Sequence, residues 1–371
     1  MVTKRISWLL AASGLAIGLL AEGASKTEPI PRDSLELVTG DVSPADTPES
    51  RQSVLALLNR ARDNYDLRSA GQGYDLKVSF RVDSGGATAY DGAWQMEDLY
   101  DPQHGLRWTA TAANGRYTIT EISYQGNHYA DGTPGAIPLR LHEARAALFG
   151  AISPAANLER SRIRTSTATY LGEPVTCALL SAAGKHTTNA PGRRWMETEE
   201  CIDLQSGLLM THSQAPGRYY AYDYMNGPQL AGHLFPRKVI VTEGGSIVSR
   251  ISVDSLEPLT NADPNLFLPT EEMKTRGRAV AMGGAEKFSR MVAPSRPGSG
   301  AQFHSLCVFG LVTDAGKLVD AHSLQPSDPY SAAAVAAASQ MDFSPAPVPG
   351  EVRPPPSQHF VFVIERFVSN R

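Results

Sequence analysis

WMETEECIDLQSGLLMTHSQAPGRYYAYDYMNGPQLAGHLFPRKVIVTEGGSIVSRISVD, residues 195–254, is the stretch that decides the fold. It reads as a ladder of strands joined by short turns. Met196 to Ile202 is a first run, and Gln205-Ser206-Gly207 turns it into Leu208-Leu209-Met210. Pro216-Gly217 precedes the aromatic run Tyr219, Tyr220, Tyr222, Tyr224, and Asn226-Gly227-Pro228 precedes Phe235 to Thr242. Gly244-Gly245 then links to Ile247 to Val253, because two glycines between β-branched runs supply the positive φ of a two-residue hairpin. The pattern predicts an antiparallel meander and contains no catalytic loop.

Working outward, residues 74–130 continue the theme. In Tyr74 to Val82 the residues Leu76, Val78, Phe80 and Val82 alternate with Lys77, Ser79 and Arg81, as a half-buried strand requires. Ala93 to Tyr100, Leu106 to Ala112, Arg116 to Tyr124 and His128 to Ala130 follow, with Gly, Asp or Asn between them. Strands resume at Ser161 to Tyr170 and Val175 to Leu180. Two helices are predicted. Thr47 caps the first, with Pro48 at its first position and Val54, Leu57, Leu58, Ala61 and Tyr65 on one stripe. Pro138 starts the second, which runs through Phe149. The large unit is therefore expected to be a sheet of about ten strands that curls, with helices over its concave side. The large side chains Phe80, Trp94, Met96, Trp108 and Tyr124 are candidates to line an apolar hollow there.

With 371 residues the chain has room for about two domains. A hydrophobic content of 42% provides a core, and a net charge of -4 makes no electrostatic case for nucleic acid or an anionic membrane surface. Lys4 and Arg5 precede the uncharged run Ile6 to Ala21, which has the order of a secretory signal and is short for a spanning helix. The expected division is signal peptide 1–24, flexible lead 25–46, β domain 47–272, linker 273–302 and a C-terminal module 303–371, in a periplasmic protein. An N-terminal segment retained as an inner-membrane anchor is the alternative. Export makes a disulfide between Cys177 and Cys201 the expected pairing, since they flank one loop in neighbouring strands, and leaves Cys307 as a buried thiol.

The C-terminal module reads as a hairpin (Leu306 to Val312 and Leu318 to Leu324), an Ala-rich helix from Ser331 to Met341, and a last strand from Phe360 to Val368. Before it, Ala279 to Met291 is read as a short helix and Pro294 to Gly300 as linker. No metal-ligand spacing, serine-nucleophile elbow or phosphate loop is present in the sequence, so no catalytic residue, metal or cofactor is expected. His212, His233 and His359 are read as unassociated surface residues, and Asp203 and Asp223 as turn caps.

Two resemblances follow from particular residues. Glu200-Cys201-Ile202-Asp203 with Gly207-Leu208-Leu209, Pro216-Gly217-Arg218-Tyr219, Phe235-Pro236-Arg237-Lys238, and Asp263-Pro264 with Phe267-Leu268-Pro269 resemble the second half of the periplasmic lipoprotein-carrier superfamily, the LolA-like and LolB-like proteins. That resemblance covers residues 50–270 and implies a half-open barrel with a helical lid and an acyl ligand or lipoprotein chain inside. Val312 to Ala321, Ala332 to Ala338, Asp342-Phe343-Ser344-Pro345-Ala346 and Phe360 to Phe367 resemble the TonB C-terminal domain over residues 304–369. It implies a β-β-α-β module that engages an outer-membrane receptor or other envelope protein by strand addition, with Phe360, Phe362, Ile364 and Phe367 on the partner-strand edge. The fold class expected is thus α+β, a curled antiparallel half-barrel with covering helices followed by a small TonB-like domain. The function expected is non-enzymatic: holding an apolar ligand and engaging a partner. A TonB-type energy transducer is the alternative.

Overall fold

The computed structural model describes residues 42–83, 90–133, 137–153, 155–171, 173–182, 193–194, 197–276, 287–290, 303–312, 316–344 and 359–368. Its dominant feature is one antiparallel sheet. The strands, in chain order, are β1 (Ser43–Pro44), β2 (Tyr74–Val82), β3 (Gly92–Asp101), β4 (Gly105–Ala112), β5 (Thr118–Tyr124), β6 (Asn127–Gly132), β7 (Ser161–Tyr170), β8 (Glu173–Ala182), β9 (Thr198–Asp203), β10 (Leu209–Ala215) and β11 (Arg218–Asp223). After the two-residue β12 (Gln229–Leu230) and β13 (His233–Leu234), which pair with each other, come β14 (Lys238–Glu243) and β15 (Ser246–Pro258).

Thirteen strands, not ten, share the sheet, in the order β1-β7-β8-β9-β10-β11-β14-β15-β2-β3-β4-β5-β6. Two meanders, β2 to β6 and β7 to β15, are joined where β15 lies beside β2, with Ile251 opposite Phe80 and Val253 opposite Val78. The two ends, β1 and β6, do not pair with each other, so the sheet is unclosed. The end of the stretch read as flexible lead belongs to it: Ser43 and Pro44 pair with Thr165 and Arg164, and Ala45 is buried. Gly244 and Gly245 turn the β14–β15 hairpin at φ 54° and 80°, as the two-glycine reading requires.

Helix α1 (Pro48–Tyr65) starts where expected. The Thr47 hydroxyl accepts from the Ser50 amide at 3.2 Å, and Ser50 returns the bond to the Thr47 amide, satisfying two donors that a helix start leaves open. Its stripe Val54, Leu58, Ala61 and Tyr65 is buried on the sheet. Helix α2 (Leu139–Phe149) lays Leu141, Ala144, Ala147 and Leu148 on the same face, and the short helices α3 (Ala155–Arg160) and α4 (Glu271–Arg276) complete the large unit. Leu58, Leu76, Val78, Trp94, Trp108, Tyr222 and Val241 join in one continuous cluster between sheet and helices.

The C-terminal unit contains β16 (Lys287–Arg290), β17 (Phe303–Val312), β18 (Leu318–Ser323), α5 (Ser331–Ala338), β19 (Asp342–Ser344) and β20 (His359–Val368). A three-stranded sheet has the order β18-β17-β20, and α5 packs Ala334 and Ala338 against Leu306, Val308 and Val363. The order hairpin, helix, strand expected from the sequence is present. The helix expected over 279–291 is not found in its described part. Residues 287–290 form a strand paired with β19, a tertiary partner overriding weak local preference; the rest of that helix, and the linker 294–300, lie outside the described residues.

This unit is docked on the large one. Cys307, Phe309, Leu311 and Leu324 share a buried cluster with Leu139 of α2 and Ala215 of β10. Two glycine turns make the approach possible. A Cβ on Gly217 would lie 2.7 Å from the Leu324 carbonyl oxygen, and one on Gly244 would lie 2.5 Å from Pro326 Cδ. Both residues have positive φ as well, so each is glycine for two reasons.

Candidate functional site

The face under α1 and α2 carries most of what the sequence singled out. Strand pairing places Phe80 opposite Trp94, Val78 opposite Met96, and Asp98 opposite Trp108, so these side chains all project to the helix-covered side. Phe80 and Trp94 stack with ring centres 5.5 Å apart, and Trp94 meets Tyr117 at 5.7 Å. Phe80, Trp94, Met96 and Trp108 are only 1–3% exposed, packed among themselves and under the helices. Tyr124 is a correction. Strand alternation puts Glu121 and Ser123 of β5 on the helix-covered face, so Tyr124 points to the opposite one, half-buried and bonded by Gln125.

Helix α2 is held at both flanks by charge. On one side Arg140 grips Glu243 with two bonds of 2.8 and 2.9 Å and reaches Glu143 at 2.9 Å. Arg218 bonds Glu143, Glu243 (3.2 Å), Gln214 (2.8 Å) and the Tyr220 hydroxyl, and its guanidinium lies 4.2 Å over the Phe309 ring. His322 of β18 closes the network with a 2.6 Å contact from Nε2 to Glu243 Oε2. Burial alone would raise the Glu243 pKa, but Arg140 and then His322 hold it well below the usual carboxylate range. Burial depresses His322, yet its bond to Glu243 lifts it above an ordinary histidine. On the other flank Arg145 bonds Glu121 at 2.7 Å and lies 4.2 Å over the Trp108 ring. In the middle, Tyr65 and Tyr222 both donate their hydroxyls to the Ala147 carbonyl.

Deeper on the same face, His212 and Glu200 stand directly opposite each other on β10 and β9. His212 is buried, against the surface position expected of it, and its two ring nitrogens have no partner among the described residues. Burial and the neighbouring Arg218 and Arg193 push it down to about 3, so it is neutral. Burial pushes Glu200 up to about 7, while the Ser153 amide and hydroxyl, both donating to its Oε1, pull the other way. A carboxyl whose folded pKa lies above its unfolded value of about 4.3 costs stability as pH rises from about 4.5 to 7. Glu200→Gln keeps an acceptor for Ser153 and removes that cost. The variant is expected to match the wild type at pH 4.5 and exceed it by roughly 1–3 kcal/mol at pH 8, read from urea midpoints. Equal midpoints at pH 8 would show that Glu200 is not buried as described.

On the opposite face, Cys177 and Cys201 form the expected disulfide across β8 and β9. Arg193 is buried on that face, bonding the Ser213 carbonyl (2.9 Å), Glu199 (3.2 Å) and the Tyr219 hydroxyl (3.3 Å). Cys177, Glu199 and Cys201 are the one trio of potential metal-ligating groups gathered among the described residues, and both sulfurs are spent in the disulfide. Cys307 is a buried free thiol, and burial pushes its pKa up to about 12. Asp203 and Asp223 cap turns, accepting from the amides of Gln205 and Ser206 and of Met225.

On β20, Phe360, Phe362, Ile364 and Phe367 are in register with Leu311, Phe309, Cys307 and His304 of β17. No strand pairs with the other edge of β20 among the described residues. Sequence reasoning missed Arg140, Glu143, Glu243, His322 and Asp98. Only Asp98 carried a local signal, an acid on the inward side of the Trp94, Met96, Tyr100 alternation. No described helix is long and apolar enough to cross a membrane.

No family model matches the chain, and no curated protein matches it. Among solved structures it is similar to a candidate outer membrane lipoprotein-sorting protein domain from Vibrio parahaemolyticus, at 10% identity and TM-score 0.34, covering 57% of this chain and 95% of that one. It is also similar to a LolA superfamily protein from Nitrosomonas europaea, at 12% identity and TM-score 0.36, covering 58% and 96%. Overlaps this loose do not establish a shared fold.

Proposed function

We propose that this is an exported, non-enzymatic binding protein that holds an apolar lipid or acyl ligand between the sheet and its covering helices, and engages an envelope partner through the C-terminal unit. The observation that carries this reading is how the apolar face is closed. The face around Phe80, Trp94, Met96 and Trp108 belongs to an unclosed sheet, and the helices α1 and α2 cover it in place of a second sheet. Helices packed on a sheet can move without breaking its ladders, and an acyl chain offers the same apolar contact that they give up. The Cys177–Cys201 disulfide fits the oxidising periplasm.

The test is direct. Lipid-stripped full-length protein titrated with the apolar dye N-phenyl-1-naphthylamine should give a saturable fluorescence rise that oleoyl amphiphiles reverse. No rise up to about 100 μM dye, an affinity too weak for a carrier, overturns the reading.

A TonB-type energy transducer anchored by an uncleaved N-terminal helix is the second reading. The edge of β20 that no strand pairs with among the described residues supports it, since strand addition needs free backbone donors and acceptors. Finding that the exported protein begins near residue 24 would end it.

A further inference from the structure

Asp98 and Trp108 face each other across β3 and β4, both fully buried beneath α2. Asp98 Oδ1 accepts from the Tyr74 hydroxyl at 3.0 Å, but Oδ2 has no partner among the described residues. The Trp108 indole Nε1 has none either. One is an acceptor and the other a donor on neighbouring side chains, yet they do not satisfy each other. The Trp108 ring is held by the Arg145 guanidinium on its face, and Arg145 is committed to Glu121. Arg68 is likewise occupied, over the rings of Phe149 (5.5 Å) and Tyr100 (5.9 Å). Buried polar atoms are rarely left open, and two adjacent ones of opposite kind mark a place for a molecule that bonds to both.

We propose that Asp98 Oδ2 and Trp108 Nε1 form the head-group subsite for the ligand, and that it selects a neutral head carrying one donor and one acceptor, an amide or hydroxyl, over a carboxylate. This rests on the apolar-ligand reading and names the ligand class. An amide oxygen accepts from the indole N–H while its own N–H donates to Asp98 Oδ2. A hydroxyl does both with one oxygen. A carboxylate has no proton to donate to Asp98 Oδ2. The tail would lie along Met96 and Trp94, which follow Asp98 at alternate positions on the same face of β3, and against Phe80 opposite Trp94, replacing contacts that the covering helices now make with them. Arg145 is 28% and Glu121 18% exposed, and Arg145 lies over the Trp108 ring, so Trp108 is one side chain below solvent at this ion pair.

The experiment is displacement of N-phenyl-1-naphthylamine from full-length protein at pH 7.5 by oleamide, oleyl alcohol and oleate. Oleamide and oleyl alcohol are expected to displace the dye about tenfold more effectively than oleate. Asp98→Asn tests the assignment by reversal. Its carbonyl oxygen would serve Tyr74 and its amide would present a donor inward, so oleate should gain and the order invert. Trp108→Phe should keep dye binding and lose the advantage of oleamide. If the dye binds but all three amphiphiles displace it equally, or if Asp98→Asn leaves the order unchanged, the subsite is overturned while the apolar-carrier reading stands. If the dye does not bind the wild type, both fall together.

Discussion

Arg218→Met is expected to lower the unfolding free energy by about 3–5 kcal/mol at pH 7, because it strands buried carboxylates rather than merely deleting a contact. In the native protein Arg140 and Arg218 balance Glu143 and Glu243, and Arg218 and Glu143 are fully buried. With Arg218 gone, Arg140 alone faces two carboxylates in a site with little water. Protonated His322 can supply the missing charge, which fixes the sign of the pH dependence. A histidine whose folded pKa is raised adds stability that is fully present below its unfolded value of about 6.5 and lost as pH rises through the folded pKa. The deficit of the variant should therefore widen between pH 6 and 8. Urea unfolding at both pH values checks this, and the added change Glu143→Gln should recover part of the loss by removing the stranded charge. A loss under about 1 kcal/mol would mean that solvent already screens the network. Because His322 and Phe309 belong to the C-terminal unit, Arg218→Met should also expose that unit to proteolysis before the large sheet unfolds.

The second large effect lies on the opposite face. Replacing Cys177 and Cys201 together by alanine should cost about 3 kcal/mol, the chain-entropy value for a loop closed across a sequence separation of 24. The residues are cross-strand neighbours in a cluster with Val175, Tyr219 and Ile240, so the fold itself should survive in the double variant. Thiol titration of unfolded, unreduced wild type should find one free cysteine, Cys307, and a count of three would contradict the pairing. If the double variant melts within a degree or two of the wild type, then β8 and β9 are held by their ladder, and the disulfide adds little.

The two predictions lean on different kinds of knowledge. The disulfide was legible in the sequence, since Cys177 and Cys201 sit in runs whose alternation made them neighbouring strands. The Arg218 network was not. Its members come from α2, β11, β14 and β18, and nothing local distinguishes a buried Glu243 at the end of a strand from a solvated one. Tyr124 was misplaced for a related reason. A run of residues identifies a strand, but only the partner register says which parity faces the helices, and one residue of shift reverses it.

What the sequence alone determined here is what depends on neighbours along the chain. The Thr47-Pro48 start of α1, the Gly244-Gly245 hairpin, the alternation of β2 and the hairpin-helix-strand order of the C-terminal unit each follow from residues within one turn or one pleat. The tertiary structure decided the rest. It set β15 beside β2, it turned residues 287–290 into a strand by supplying β19, and it gathered four distant charges and a histidine where the C-terminal unit meets the sheet. It also left Asp98 Oδ2 and Trp108 Nε1, on facing residues, without a partner among the described residues. The physical reason is that periodicity reports the faces of an element, whereas burial and charge pairing depend on what is laid against those faces from elsewhere in the chain.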